Sequence, residues 1–193
     1  IVNNDLVQNL VQQNIAKFDK NGELHYDIAS ALIKSIRGSD PNGALYWLAR
    51  MIQGGESPRF IARRLVISAA EDIGLANPNA LLIAQTAAQA VEFIGFPESR
   101  IILSEATIYL ACSAKSNSAY TAIDEAIALV QNTGDLAVPL HLRNAPTRLM
   151  KNLDYGRDYQ YAHQFKNNFI EQEYLPKEIS NTTLYKPSNN PSE

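Results

Sequence analysis

Apolar positions recur at helical spacing along most of this chain, and the pattern is clearest over residues 25–52. Ile28, Leu32 and Ile36 return at four-residue steps and share one face, while Lys34 and Arg37 point elsewhere. Gly38 suits the left-handed position just past a helix end, and Asp40-Pro41 supplies a side-chain acceptor and a pre-set φ for the next start. The second helix presents Leu45, Leu48, Ala49 and Ile52 on one face with Tyr46 and Trp47 beside it, an apolar arc wider than a two-helix hairpin can cover.

The same punctuation returns downstream. Ser57-Pro58 and Asn77-Pro78 repeat the cap-then-proline device, at a pitch that suits helices of about 15 residues joined by tight turns. The helix from Pro58 turns Ile61, Leu65, Ser68 and Ala69 inward and closes near Gly74. The helix from Pro78 carries Leu81, Leu82, Ile83, Ala84, Ala87, Ala88, Ala90 and Val91, so it is apolar nearly all round and must be surrounded, by this chain or by a second copy. Pro97 opens a helix bearing Ile101, Ile102, Glu105, Tyr109 and Cys112. After Lys115-Ser116-Asn117 the periodicity places Ala119, Ile123, Ala126, Ile127 and Val130 inside, with Asp124 and Glu125 outside. Upstream, residues 5–16 read as a short helix with a Leu6, Val7, Leu10, Val11 seam, followed by a polar break at 19–22. No strand-like alternation runs beyond about four residues before Gly134. Beyond it, 138–143 reads as extended because proline disfavours helix at its predecessor, 147–153 and 165–174 read as short helices, and a polar tail from 176 is expected to be mobile or wrapped over the surface. The predicted fold class is all-α: a compact multi-helix domain of antiparallel helix pairs with an irregular C-terminal tail.

Composition narrows the picture. With 193 residues the chain can bury a core without a metal or disulfide staple. Its one cysteine, Cys112, reads as a small core side chain, and a lone thiol points to a reducing compartment, the cytoplasm. No secretory leader is visible and no run of about 18 apolar residues suggests a membrane partner. The formal charge of −3, from 20 acidic and 17 basic residues, does not draw in nucleic acid on average, so any such role needs a local basic patch. A first residue of Ile rather than Met is expected of a piece of a longer protein.

Catalytic signals are missing. No glycine is followed by lysine, so there is no phosphate loop, and neither G-x-G-x-x-G nor G-x-S-x-G occurs. His25, His141 and His163 stand far apart, which leaves no metal-ligating pair, and no cofactor site is expected in this segment. Glu71 and Asp72 are helix neighbours that do not face each other; they read as structural, one pairing with Arg64 or a neighbouring helix and the other solvated. A stand-alone helical enzyme therefore has no motif to support it. The dense stretch is 141–163, where Arg143, Arg148, Lys151 and Arg157 lie among Tyr155, Tyr159 and Tyr161. Cations for phosphates and rings for bases are the ingredients of single-strand binding, which makes Arg143, Arg148, Lys151, Arg157, Tyr155 and Tyr159 candidate DNA contacts. The other reading keeps these arginines for helix carbonyls and the tyrosines for covering the core. Lys34, Arg37, Arg63 and Arg64 form a weaker second patch.

Taken together, H-Y-D-x-x-S-A-L-x-K-S-x-R-G-S-x-P at 25–41, A-L-Y-W-x-A-R at 44–50, E-D-I-G-x-A-x-P at 71–78, Y-L-A-C-x-x-K-S-N at 109–117, V-P-x-H-L-R-N-A-P-T-x-L-M-K at 138–151 and the following Y-G-x-x-Y-x-Y-A-H resemble the C-terminal region of the replication-associated recombination protein A (RarA/MgsA) family of AAA+ ATPases, relatives of the Werner-helicase-interacting ATPase. The resemblance implies a clamp-loader-collar-like helical domain through which subunits assemble as a homotetramer. It further implies a parent that is a DNA-dependent ATPase at stalled replication forks, serving replication, recombination and repair in the cytoplasm at the nucleoid, with other replication proteins as possible partners. ATP and Mg²⁺ belong to an N-terminal module that has no counterpart here. On this reading residues 1–21 end a lid or linker helix, 22–175 form the oligomerisation domain, and 176–193 are the tail. Tyr46, Trp47, Leu82, Ala87 and Val91 are the candidate oligomer-interface residues.

Overall fold

A computed structural model describes residues 23–190 and 193; the helix expected at 5–16, the break at 19–22 and the segment 1–21 lie outside the described residues. Seven α-helices are described: α1 (Glu23–Arg37), α2 (Pro41–Gln53), α3 (Pro58–Ser68), α4 (Asn79–Ile94), α5 (Ser99–Cys112), α6 (Ser118–Thr133) and α7 (Arg148–Asn152). No strand occurs among the described residues, so the fold is all-α. The described chain divides into two units, one of residues 23–122 with 185–190 and 193, the other of residues 123–184.

In the first unit α1 and α2 pack as a helical hairpin, α3 lies on α4, α4 on α5, and α5 returns to α2. The hairpin turn differs from expectation in one detail. Gly38 N closes on Lys34 O at 2.8 Å and the left-handed residue is Ser39, at φ 59°. Asp40 then caps α2, its Oδ1 accepting from the Asn42 and Gly43 amides at 3.0 Å each. The other two proline starts use different devices. Ser57 precedes α3 without a side-chain cap bond, and Asn77 donates to Tyr109 Oη at 3.0 Å and Ser113 Oγ at 3.3 Å, tying the start of α4 to the end of α5.

The core gathers Leu32 and Ile36 from α1, Leu48 from α2, Ile61 and Leu65 from α3, and Leu103 and Leu110 from α5. Against them α4 sets Ala80, Ala84, Ala87 and Val91, small residues that let neighbouring helices approach closely. The all-apolar helix is thereby divided, with Leu81, Leu82, Phe93 and Ile94 left exposed. Two helix faces are rotated from the sequence expectation. In α5 the buried set is Leu103, Ala106, Thr107, Leu110 and Ala111, which leaves Ile101 exposed and turns Cys112 to solvent, one residue around from the core. In α6 the half-buried residues include Ala122, Ala126 and Leu129, whereas Ile123, Ile127 and Val130, expected inside, are about half exposed.

The second unit is mostly irregular. Besides part of α6 and the short α7, whose Thr147 Oγ1 accepts the Met150 amide at 3.2 Å, it holds 3₁₀ turns at Leu140–Leu142, Ala162–Gln164, Lys166–Asn168 and Lys177–Ile179. The helix expected over 165–174 does not form, because Asn167 and Asn168 both sit at positive φ and interrupt it. The last residues rejoin the first unit: the Glu193 carboxylate accepts the hydroxyls of Ser118 and Ser188, and the Ser188 amide at 3.1 Å.

Candidate functional site

Three of the densest sequence stretches, R-G-S at 37–39, E-D-I-G at 71–74 and K-S-N at 115–117, meet at one polar junction of the first unit. At the end of α3 the helix widens into a π-helical turn, Ala69–Ile73, that faces Asp72 inward. Asp72 accepts Ser68 Oγ at 2.9 Å and Arg37 Nε at 2.5 Å, and Glu71 takes the same guanidinium through Nη2 at 3.0 Å. The adjacent carboxylates therefore share one cation on α1, rather than one of them pairing with Arg64, whose guanidinium stacks 5.4 Å from the Phe60 ring. The hydrogen bond to Asp72 holds the Arg37 pKa above its ordinary value against the opposing effect of burial.

The turn is locked from the far side. Ser116 N donates to Asp72 O at 2.9 Å, and Gly74, at φ 49°, passes so close to Ser116 O that a Cβ there would stand 2.8 Å from it. Lys115 Nζ donates to Ser39 Oγ at 3.0 Å, Ala111 O at 2.9 Å and Ser113 O at 2.5 Å; burial pushes its pKa down, opposed by Cys112 and Asp72. These groups border a cavity of about 520 Å³, lined among others by Arg37, Glu71, Asp72, Lys115 and Ser116. The charges on its wall bond to groups of this chain, so the junction acts as a brace joining α1, α3 and α5. Sequence reading singled out all three stretches as motifs but not their convergence, which spacing alone does not reveal.

The outer side of α4 and α5 is apolar. Between the two helices runs a groove of about 310 Å³, floored by Ala87, Ala90 and Ala106 and walled by Leu82, Ile83, Ile102 and Glu105. Leu82 is 65% exposed and Phe93, on the same side of α4 by helical spacing, 91%. Ala87 and Val91 are only 7% and 2% exposed and belong to the protomer core, so on α4 the surface falls to Leu82 and its neighbours. On α2, Tyr46 is 56% exposed and meets the half-buried Trp47 edge-on, ring centroids 5.0 Å apart, with the Arg50 guanidinium 5.8 Å from the Trp47 ring.

In the second unit the basic and aromatic residues divide by role. Arg143 is used internally, its Nε donating to Val138 O at 2.7 Å and its Nη1 to Tyr155 Oη at 3.1 Å, with the guanidinium 5.0 Å from that ring's centroid. Arg157 pairs with Asp154 at 2.9 Å. Arg148 and Lys151 on α7 and Tyr159 remain exposed. A cavity of about 460 Å³ lies beside them, lined by His141, Arg143, Asn144, Tyr159 and Tyr174 among others, and the His141 Nε2 is 2.7 Å from Glu173 O. Among the described residues no group of three or more metal-ligating side chains occurs, and no helix is long and apolar enough to cross a membrane.

Residues 38–193 match the profile of the MgsA AAA+ ATPase C-terminal family, and residues 1–37 that of the AAA C-terminal domain. The chain belongs to the MgsA C-terminal family. This MgsA C-terminal segment is 47% identical over 190 residues to replication-associated recombination protein A of Coxiella burnetii, covering 98% of this chain and 43% of the relative. It is 44% identical over 186 residues to the protein of that name from Escherichia coli strain K12, covering 96% of this chain and 42% of the relative. A eukaryotic relative, ATPase WRNIP1 of Dictyostelium discoideum, is 44% identical over 177 residues, 91% of this chain and 20% of its own length. The chain thus spans less than half the length of each of these relatives.

Proposed function

We propose that this MgsA C-terminal segment is the oligomerisation domain of a DNA-dependent AAA+ ATPase, holding subunits together as a homotetramer. The ATPase would act at stalled replication forks in the cytoplasm, in replication, recombination and repair. ATP and Mg²⁺ chemistry belongs to an N-terminal module of the parent, and this segment contributes assembly rather than catalysis. The observation that carries the reading is the exposed apolar face of α4 and α5, where Leu82, Phe93 and Ile101 stand open around a groove. A large apolar patch on one protomer marks a partner surface. Multi-angle light scattering of the 193-residue chain tests it: a tetramer mass at micromolar concentration is expected, and a monomer at high micromolar concentration refutes it.

A second role, DNA contact, is favoured by the exposed cations of α7. Because Arg143 and Arg157 are engaged within the chain, the contact falls to Arg148, Lys151 and Tyr159. Changing Arg148 and Lys151 together to Ala is expected to weaken DNA binding by the full-length ATPase and to lower its salt slope by about 1–2. An unchanged slope and affinity in a salt titration followed by fluorescence anisotropy removes this contact.

A further inference from the structure

The α4–α5 groove is concave, and a groove cannot be filled by a second groove; it needs a ridge. The described part of the chain offers one on a long helix. Along α6 the residues Tyr120, Ile123, Ile127 and Val130 recur at i, i+3, i+7 and i+10, a stripe down one side of the helix, and each is about half exposed. Such spacing calls for a covering surface, and the described residues do not supply it. The groove has the matching form: an alanine floor that admits a helix closely, one crest made by Leu82 and Phe93, the other by Ile101 and Ile108.

Resting on the assembly reading above, we propose that the α4–α5 groove receives the α6 stripe of a second copy of this chain. The contact is heterologous: each copy gives its ridge to one neighbour and takes the ridge of another in its groove. The areas favour this arrangement. Each face leaves on the order of 400 Å² of apolar side chain open, about half of the ~800 Å² per partner that a stable interface buries. A subunit that uses both faces, one toward each neighbour, reaches that amount, as a closed ring requires.

Leu82→Glu spoils the groove and leaves the ridge intact; Ile127→Glu does the reverse. Both positions are exposed, and circular dichroism melts of each variant check that folding is retained, with Phe93→Lys and Ile123→Lys as a second pair. Under light scattering each variant alone is expected to run as a monomer. Their equimolar mixture is expected to recover a heterodimer, twice the chain mass and no larger, because one intact groove and one intact ridge remain. Variants that keep the wild-type mass, or two monomeric variants whose mixture stays monomeric, overturn the ridge-in-groove pairing while an assembled wild type leaves the assembly reading standing. A monomeric wild-type chain overturns both.

Discussion

Asp72 is almost wholly buried and negatively charged, and its position is tolerable because Ser68 and Arg37 bond to its two oxygens. Removing the cation leaves that carboxylate unpaired. Arg37→Ala is therefore expected to cost about 1–3 kcal/mol, less than the 3–5 typical of a fully buried pair because the arginine is half exposed, and a urea melt checks it. Since the Arg37 pKa is raised, its contribution is complete at every pH below the ordinary arginine value, so the loss is expected to be the same at pH 6 and pH 9. Gly74→Ala brings a backbone conformation that a side chain rarely adopts together with a clash on Ser116 O, and a cost of about 2–4 kcal/mol is expected in the same melt. The sequence already displayed Arg37, Asp72 and Gly74 inside conspicuous motifs. Which carboxylate met which cation was not legible, because the partners are more than thirty positions apart and helical phase says nothing about what lies across the interface.

Among elements, α4 shows where periodicity succeeds and where it stops. The alanines at 80, 84 and 87 follow a clean inner stripe, yet the flanking Leu, Ile and Phe residues mask it, so the helix reads as apolar all round. Burial of the small residues wins because it brings α3 and α5 close. Ala84→Leu, at a fully buried position, is accordingly expected to destabilise by about 1–3 kcal/mol through overpacking, measured by thermal melting. On α6 the stripe itself was readable, but which side faced the protomer was not: bulky Ile and Val were expected inward, whereas the half-buried positions include Ala122, Ala126 and Leu129. The returning segment ending at Glu193 offers a separate test. Hydroxyls of Ser118 and Ser188 hold its carboxyl near pKa 2, below the unfolded value of about 4.3. A depressed carboxylate stabilises above the unfolded value and loses that contribution as pH falls through the folded one. Detachment of this segment is expected between about pH 4.3 and pH 2, followed by the side-chain NMR signals of Glu193, and Glu193→Gln abolishes the transition.

For the whole molecule, the all-α class and the order of helices from α1 to α6 followed from spacing and proline punctuation, since both are local properties. The second unit was less readable because its order comes from isolated contacts such as Arg143 with Tyr155 rather than from a repeating pattern. At this scale membership in the MgsA C-terminal family joins the exposed helical faces to a larger ATPase, and the mass and mixing measurements above bear on that assembly. The widened turn at Ala69–Ile73 carries a last implication, about length rather than chemistry. A turn of this kind accommodates one residue more than a regular helix does, so cutting a single amino acid from it would restore ordinary pitch and swing every later side chain by about 100°. Asp72 would then turn away from Arg37, and no replacement at a single position could undo the misphasing. The family's C-terminal domain should therefore tolerate many exchanges of letter in this turn and hardly any change in their number.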